Sequence, residues 1–100
     1  MTIQIDAYTM EGPFRNIESL RDESGVFVVF CRSCDRDFEL FDVDHSATVR
    51  SSVRDHERKS CWKRTCYGTL YYAVYYCNEE QCKQIARELI EKHDLPCGDK

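Results

Sequence analysis

The amino-acid sequence predicts an α+β domain with three antiparallel strands, an extra N-terminal strand and helices packed on the sheet. Three apolar or aromatic runs, at residues 26–31, 38–43 and 69–77, have the composition of strands. Two amphipathic segments, beginning near Ser46 and near Glu79, have the 3.6-residue spacing of helices. A chain of 100 residues is long enough for one hydrophobic core, so we expect a single domain over residues 1–100.

The first 24 residues are predicted to form one strand and a connecting segment. Apolar and polar residues alternate from Ile3 to Ala7, as in a half-buried strand. Gly12-Pro13 then predicts a turn. The run at 26–31 is apolar throughout, which is typical of a central strand with both faces covered.

A first helix is predicted from Ser46, a capping residue, to about Arg58. Its apolar face carries Val49, Val53 and His56 at helical spacing. A loop is expected after it. The second helix should begin at Glu79, directly after a capping asparagine.

Four tyrosines lie on the two faces of the third strand: Tyr71, Tyr72, Tyr75 and Tyr76. Aromatic side chains on a strand can stack on the bases of nucleic acid. Packing of the rings against helices is commoner, and it is the favoured interpretation.

The composition excludes several classes of protein. Hydrophobic residues make up 42% and charged residues 32%, which is typical of a folded chain and not of a disordered one. No apolar run approaches the ~18 residues of a membrane span, and the N-terminus has no signal-peptide pattern. We therefore expect a cytoplasmic domain with no membrane partner.

Seven cysteines are unusual for this length, and the odd count leaves one thiol outside any complete set of disulfides. In a reducing cytosol we expect mostly free, buried thiols. Cys31 and Cys34 form a CxxC at a predicted hairpin tip, where zinc knuckles place ligands, and Cys61 and Cys66 would complete a four-thiolate site. Packing is favoured over zinc, so no metal is predicted.

Residues in a fixed order along these elements form a recognisable pattern: Gly25-Val26-Phe27, Val43, Ser46, Val49-Arg50, His56, residues 59–64, Gly68-Thr69-Leu70, Ile85, Glu88-Leu89-Ile90 and Pro96-Cys97-Gly98. Their order and spacing resemble the GIY-YIG nuclease superfamily, in particular its small stand-alone members. The resemblance implies a family core over residues 25–98, with three antiparallel strands in the order 2-1-3.

The resemblance also implies metal-assisted hydrolysis of a phosphodiester. In the family, a tyrosine helps to activate water, an arginine clamps the phosphate and a glutamate holds a divalent cation. The matching positions here are Phe27, Ser52 and Ala86, which lack the hydroxyl, the cation and the carboxylate. We therefore predict a catalytically inactive, GIY-YIG-like domain without a cofactor.

The alternative is a metal-dependent endonuclease with a rebuilt or residual active site. Asp42, Asp44 and His56 are its candidate residues, because oxygen and imidazole ligands suit Mg²⁺ or Mn²⁺. The favoured interpretation is that Asp44 is solvated near the start of the helix and His56 packs on the sheet.

Residues 50–64 are basic within a chain of net charge −4, since six cations face only Asp55 and Glu57, a local charge of +4. The cations are Arg50, Arg54, Arg58, Lys59, Lys63 and Arg64. Such a stripe attracts phosphate groups, although a solvated helix face is the commoner explanation. We predict a binding function, through a protein partner or through weak, non-specific contact with nucleic acid.

Overall fold

The structure is a computed structural model that describes residues 1–33 and 37–98. Its elements are β1 (Thr2–Ile5), β2 (Tyr8–Phe14), a short 3₁₀ helix (Ile17–Ser19), β3 (Gly25–Arg32), β4 (Glu39–Ser46), α1 (Val49–Arg54), α2 (Lys59–Thr65), β5 (Thr69–Tyr76) and α3 (Glu79–Lys92). The strands form one antiparallel sheet in the order β1-β2-β5-β3-β4.

The prediction of a three-stranded sheet in the order 2-1-3 is wrong, because the sheet has five strands. β2 pairs with the edge of β5 that β3 leaves open, and β1 pairs with β2. The chain reverses between Ile5 and Tyr8, where Asp6 adopts a φ of 53° that aspartate tolerates better than most residues. The single predicted N-terminal strand is therefore a hairpin.

The predicted turn at Gly12-Pro13 is instead an irregularity inside β2, where the register with β5 shifts between Glu11 and Phe14. Gly12 has a φ of 121°, and a Cβ there would lie 2.8 Å from the carbonyl oxygen of Tyr72. Only glycine fits this backbone position beside β5.

Helices cover both faces of the sheet. One core lies between the sheet and α3 and contains the fully buried Val28 and Leu89. A second core lies on the opposite face, under α1 and α2, and contains Phe27, Val53 and Trp62. Because neighbouring residues of β3 enter different cores, its sequence is apolar throughout from Val26 to Cys31.

The predicted helix from Ser46 to Arg58 is wrong at both ends, since Ser46 ends β4 and α1 stops at Arg54. The chain turns at residues 55–58, where the ring nitrogen Nδ1 of His56 accepts the backbone N–H of Arg58 at 3.1 Å. That bond gives the backbone N–H of Arg58 a partner that replaces a helical hydrogen bond. A second short helix, α2, follows where a loop was predicted.

The last predicted helix is confirmed. α3 spans Glu79–Lys92, and the side-chain oxygen of Asn78 accepts the backbone N–H of Gln81 at 2.9 Å. Within residues 1–33 and 37–98, no helix has both the length and the apolar composition needed to cross a bilayer.

The prediction of free thiols is wrong, because six cysteines form disulfides with Cα separations of 5.7 to 5.9 Å: Cys31–Cys66, Cys61–Cys97 and Cys77–Cys82. Three of the four zinc candidates, Cys31, Cys61 and Cys66, are therefore used in these bonds, and Cys34 lies outside the described residues. Two of the disulfides tie α2 and the loop after it to β3 and to the C-terminal segment.

Replacing both cysteines of the Cys61–Cys97 disulfide with alanine should lower the free energy of unfolding by about 4 kcal/mol. The same change at Cys77–Cys82 should cost about 2 kcal/mol, because it closes a shorter loop in the unfolded chain. The sequence separations are 36 and 5 residues. Urea unfolding without reductant measures both values. Equal losses, or a stability of the unaltered protein that is insensitive to reductant, would contradict this account.

Candidate functional site

The residues suggested for a rebuilt active site form a cluster of polar side chains at β4. Its centre is Asp42, which has no exposed surface and is the one fully buried charged residue in the described part of the chain. Atom Oδ2 accepts Trp62 Nε1–H and Arg58 Nε–H, both at 2.8 Å. Atom Oδ1 accepts the backbone N–H of Val43 at 2.8 Å and Arg58 Nη2 at 3.2 Å.

A buried carboxylate is strongly unfavourable unless an opposite charge and hydrogen bonds replace its water. Here the guanidinium of Arg58 supplies the charge and two of the four bonds. The Asp42–Arg58 pair is thus a structural contact that fixes α2 against the sheet.

Asp44 and His56 extend the cluster towards the surface. His56 Nε2 lies 2.9 Å from Asp44 Oδ2, and Arg58 Nη2 lies 3.2 Å from the same oxygen. Since His56 Nδ1 already accepts a backbone N–H, the hydrogen-bond pattern assigns the ring proton to Nε2, which donates to Asp44. Both ring nitrogens of His56 are therefore hydrogen-bonded.

Opposing effects act on the carboxyl of Asp44. Burial alone would raise its pKa, but the hydrogen bonds from His56 and from the His45 backbone, together with the charge of Arg58, outweigh burial. The pKa of Asp44 therefore lies below its ordinary value, and the group is ionised at neutral pH.

Strand β4 sets the positions of both carboxylates. Asp44 lies opposite Phe27 in the register with β3, and Asp42 lies two residues away along β4. Both therefore point to the face that α1 and α2 cover. The turn between α1 and α2 brings His56 and Arg58 over them, with the His56 ring 5.6 Å from that of Phe27.

This donor set does not suit a divalent cation. A cation placed between Asp42 and Asp44 would meet the guanidinium of Arg58 and would have to displace its hydrogen bonds. In residues 1–33 and 37–98 there is no group of three or more His, Cys, Asp or Glu side chains that could hold a metal ion.

The three positions aligned with the family's catalytic residues do not form one site. Phe27 is fully buried in the core under α1 and α2, and Ser52 lies half-buried on α1. Ala86 lies on α3, in the core of the opposite sheet face. It borders an open 590 Å³ groove at β4 together with Asp44 and Arg58, whereas neither Phe27 nor Ser52 is among its described lining residues.

Three of the six predicted nucleic-acid-binding cations bond to other groups within the protein, and a fourth is partly buried. Arg58 belongs to the buried cluster, Arg54 pairs with Glu18, and the Lys59 ammonium donates to the carbonyl oxygen of Arg54 at 2.8 Å. The Nε atom of Arg50 is buried without a hydrogen-bond partner among the residues that the structure describes. These four side chains do not form the continuous exposed stripe that the sequence predicted.

Lys63 and Arg64 remain exposed on α2, with no ion pair or side-chain hydrogen bond to other residues the structure describes. Tyr67, in the loop that follows, is 92% exposed. Lys63 also shares the lining of a 390 Å³ cavity with Arg15, from the chain just after β2. We call Arg15, Lys63, Arg64 and Tyr67 the Tyr67 surface.

No periodic pattern in the sequence pointed to Arg15 or Tyr67. Arg15 is distant along the chain and reaches this surface because β2 pairs with β5, the pairing that the sequence did not reveal. Tyr67 stands alone between elements, so no periodicity marks it, although a tyrosine next to basic residues in a loop is a detectable pattern.

No known protein family, curated protein or solved structure was found to match this chain. The resemblance to GIY-YIG nucleases therefore stays a prediction.

Replacing Arg58 with methionine should destabilise the protein by about 3–5 kcal/mol, because it leaves the buried Asp42 carboxylate without a counter-charge. Arg54→Met is the matched control. It breaks an exposed ion pair with Glu18 and should cost at most about 1 kcal/mol. Urea unfolding of both variants measures the difference, and similar losses would show that Arg58 does not support the fold as described.

The lowered pKa of Asp44 predicts acid sensitivity. The unfolded chain takes up this proton near pH 3.9, before the folded chain does. The stabilisation is therefore fully present above that pH and is lost as the pH falls through the lower folded pKa. Asp44→Asn should flatten the fall in stability below about pH 4.

Asp55→Asn is the control for this effect, because Asp55 is exposed and has no side-chain hydrogen bond or ion pair within the described chain. Urea midpoints measured from pH 7 down to pH 3 test the comparison. If both variants keep the acid dependence of the unaltered protein, Asp44 does not contribute to it.

Proposed function

We propose that this chain is a catalytically inactive, GIY-YIG-like domain that acts by binding, and that it holds nucleic acid weakly and without sequence readout. The observation that carries the proposal is the Tyr67 surface. Arg15 and Lys63 line one cavity, Arg64 follows Lys63 on α2, and Tyr67, which is 92% exposed, lies in the loop after that helix. Cations attract the phosphates of any sequence, and an aromatic ring can stack on any base.

The charge of the whole chain limits the affinity. With a net charge of −4, the protein as a whole repels a polyanion, and the three cations of the Tyr67 surface provide only a local attraction. An affinity that depends on so few phosphate contacts should be weak and should fall as salt rises.

The polar cluster supports the inactive assignment over the endonuclease alternative. A nuclease would need Asp42, Asp44 and His56 to hold a metal ion or to move a proton. In this chain Arg58 pairs with both carboxylates, and both ring nitrogens of His56 are hydrogen-bonded. These groups stabilise the fold and are not available for chemistry on a phosphodiester.

The disulfides bear on where the protein acts. The sequence predicted a cytoplasmic location, but disulfides persist mainly in oxidising compartments. A cytoplasmic protein would be expected to keep its thiols reduced. The three disulfides of this domain therefore favour an oxidising location in this proposal.

Binding of fluorescently labelled single-stranded DNA, followed by anisotropy, tests the proposal. Three phosphate contacts predict that affinity falls roughly 20-fold between 50 and 200 mM salt. The double variant Lys63→Glu with Arg64→Glu should weaken binding at least about tenfold, since it replaces attraction with repulsion. Lys83→Glu with Arg87→Glu makes the same charge change on exposed positions of α3 and should have a small effect.

Equal losses from the two double variants would show that net charge, and not the Tyr67 surface, governs binding. The same protein, incubated with plasmid and single-stranded DNA over Mg²⁺ or Mn²⁺, should leave both intact. Metal-dependent cleavage that disappears in Asp44→Ala and in His56→Ala would contradict the proposal and support the endonuclease alternative.

A further inference from the structure

An aromatic groove lies beside the Tyr67 surface, at the end of the sheet where β2 ends and β5 begins. Its volume is 560 Å³, and its walls include the rings of Phe14, Phe38 and Tyr71. Arg15 and Arg32 also line it. We call these five residues the aromatic groove.

The aromatic walls are held by packing. The Phe38 and Tyr71 rings meet edge to face, with centroids 5.0 Å apart and planes at 88°. The guanidinium carbon of Arg32 lies 5.4 Å from the centroid of the Phe38 ring. All three aromatic side chains are only partly buried, so each leaves some surface open to a ligand.

Charge and shape together indicate the class of ligand. An apolar, aromatic groove of this volume suits a small planar group, and 560 Å³ lies within the usual range for ligand sites. Two exposed arginines in its lining favour a ligand that also carries a negative charge. A nucleotide has both parts, a planar base and a phosphate.

Arg15 connects this groove with the Tyr67 surface, because its side chain lines both the aromatic groove and the cavity beside Lys63. A strand with its phosphates on Lys63 and Arg64 would therefore pass Arg15 before it reaches the groove. The base of the nucleotide at Arg15 would then lie close to the aromatic side chains of the groove.

We propose that the aromatic groove binds the unpaired base of a nucleotide, with the nucleotide's phosphate on Arg15 or Arg32. The inference rests on the proposed function, since it names single-stranded nucleic acid as the substrate class of the Tyr67 surface. Bases in a duplex are stacked on one another and cannot enter the groove. The protein should therefore prefer single strands, although a duplex carries the higher charge density.

The experiment compares a labelled 12-nucleotide DNA strand with the same strand in a duplex, at 50 mM salt. We expect the single strand to bind roughly tenfold more tightly, the size of one base stacked on aromatic side chains. Tyr71→Leu should remove most of this preference and leave duplex binding unchanged. Tyr75→Leu is the matched control on the same strand, because Tyr75 packs against Tyr8, 5.5 Å away between ring centroids, and does not line the groove.

Arg32→Gln is a second variant on an exposed side chain, and it keeps the test decisive if Tyr71→Leu fails to fold. It should also weaken binding of the single strand. A nucleoside monophosphate is also titrated alone and followed by NMR. This measurement shows whether the groove binds a free nucleotide or only a base that is part of a strand. Ribose 5-phosphate should bind more weakly than the monophosphate, because it lacks the base.

The outcomes separate the two proposals. Equal binding of single strand and duplex, unchanged by Tyr71→Leu, would overturn this inference and leave the proposed function standing. If neither DNA binds, the proposed function fails. In that case, monophosphate binding that Tyr71→Leu abolishes would still support the groove as a nucleotide site, and its absence would overturn the inference as well.

Discussion

The buried Asp42 carboxylate is the constraint on which the arrangement of the second core depends. It lies on an edge strand and is closed over by α2, so its charge has to be met from within the protein. Arg58 supplies the opposite charge, and both Arg58 and Trp62 donate hydrogen bonds to the carboxylate. Both residues belong to the segment that starts at the turn after α1. That requirement fixes where α2 lies, and with it the positions of Lys63, Arg64 and Tyr67.

The same constraint engages the groups that the sequence suggested for an active site in hydrogen bonds and ion pairs within the protein. Two aspartates and a histidine in close sequence would suit a metal site, and the sequence allows that interpretation. Arg58 argues against a metal site, because its guanidinium contacts both carboxylates at 2.8 to 3.2 Å. The same residue was expected to bind nucleic acid, so one side chain changes the interpretation of two candidate sites.

The sequence predicted the features that depend on local pattern. The apolar run of β3 indicated a strand with both faces covered, and Asn78 indicated the start of α3. It did not reveal the pairing of β2 with β5, because half-buried strands of few residues fit several partners. Nor did it reveal the disulfides. The spacing of cysteines along the chain does not determine which of them the fold brings together, as at Cys61 and Cys97, whose Cα atoms are 5.9 Å apart.

Binding is proposed at the Tyr67 surface and not at the groove beside Asp44 and Ala86. Backbone amide chemical shifts, recorded while a short single-stranded DNA is added to ¹⁵N-labelled protein, test it most directly. The largest changes should cluster at Arg15, Lys63 and Tyr67 and should spare the amides of Asp44 and Ala86. Changes centred on Asp44 and Ala86 would contradict it, because they would place the ligand where the family resemblance alone would put a substrate.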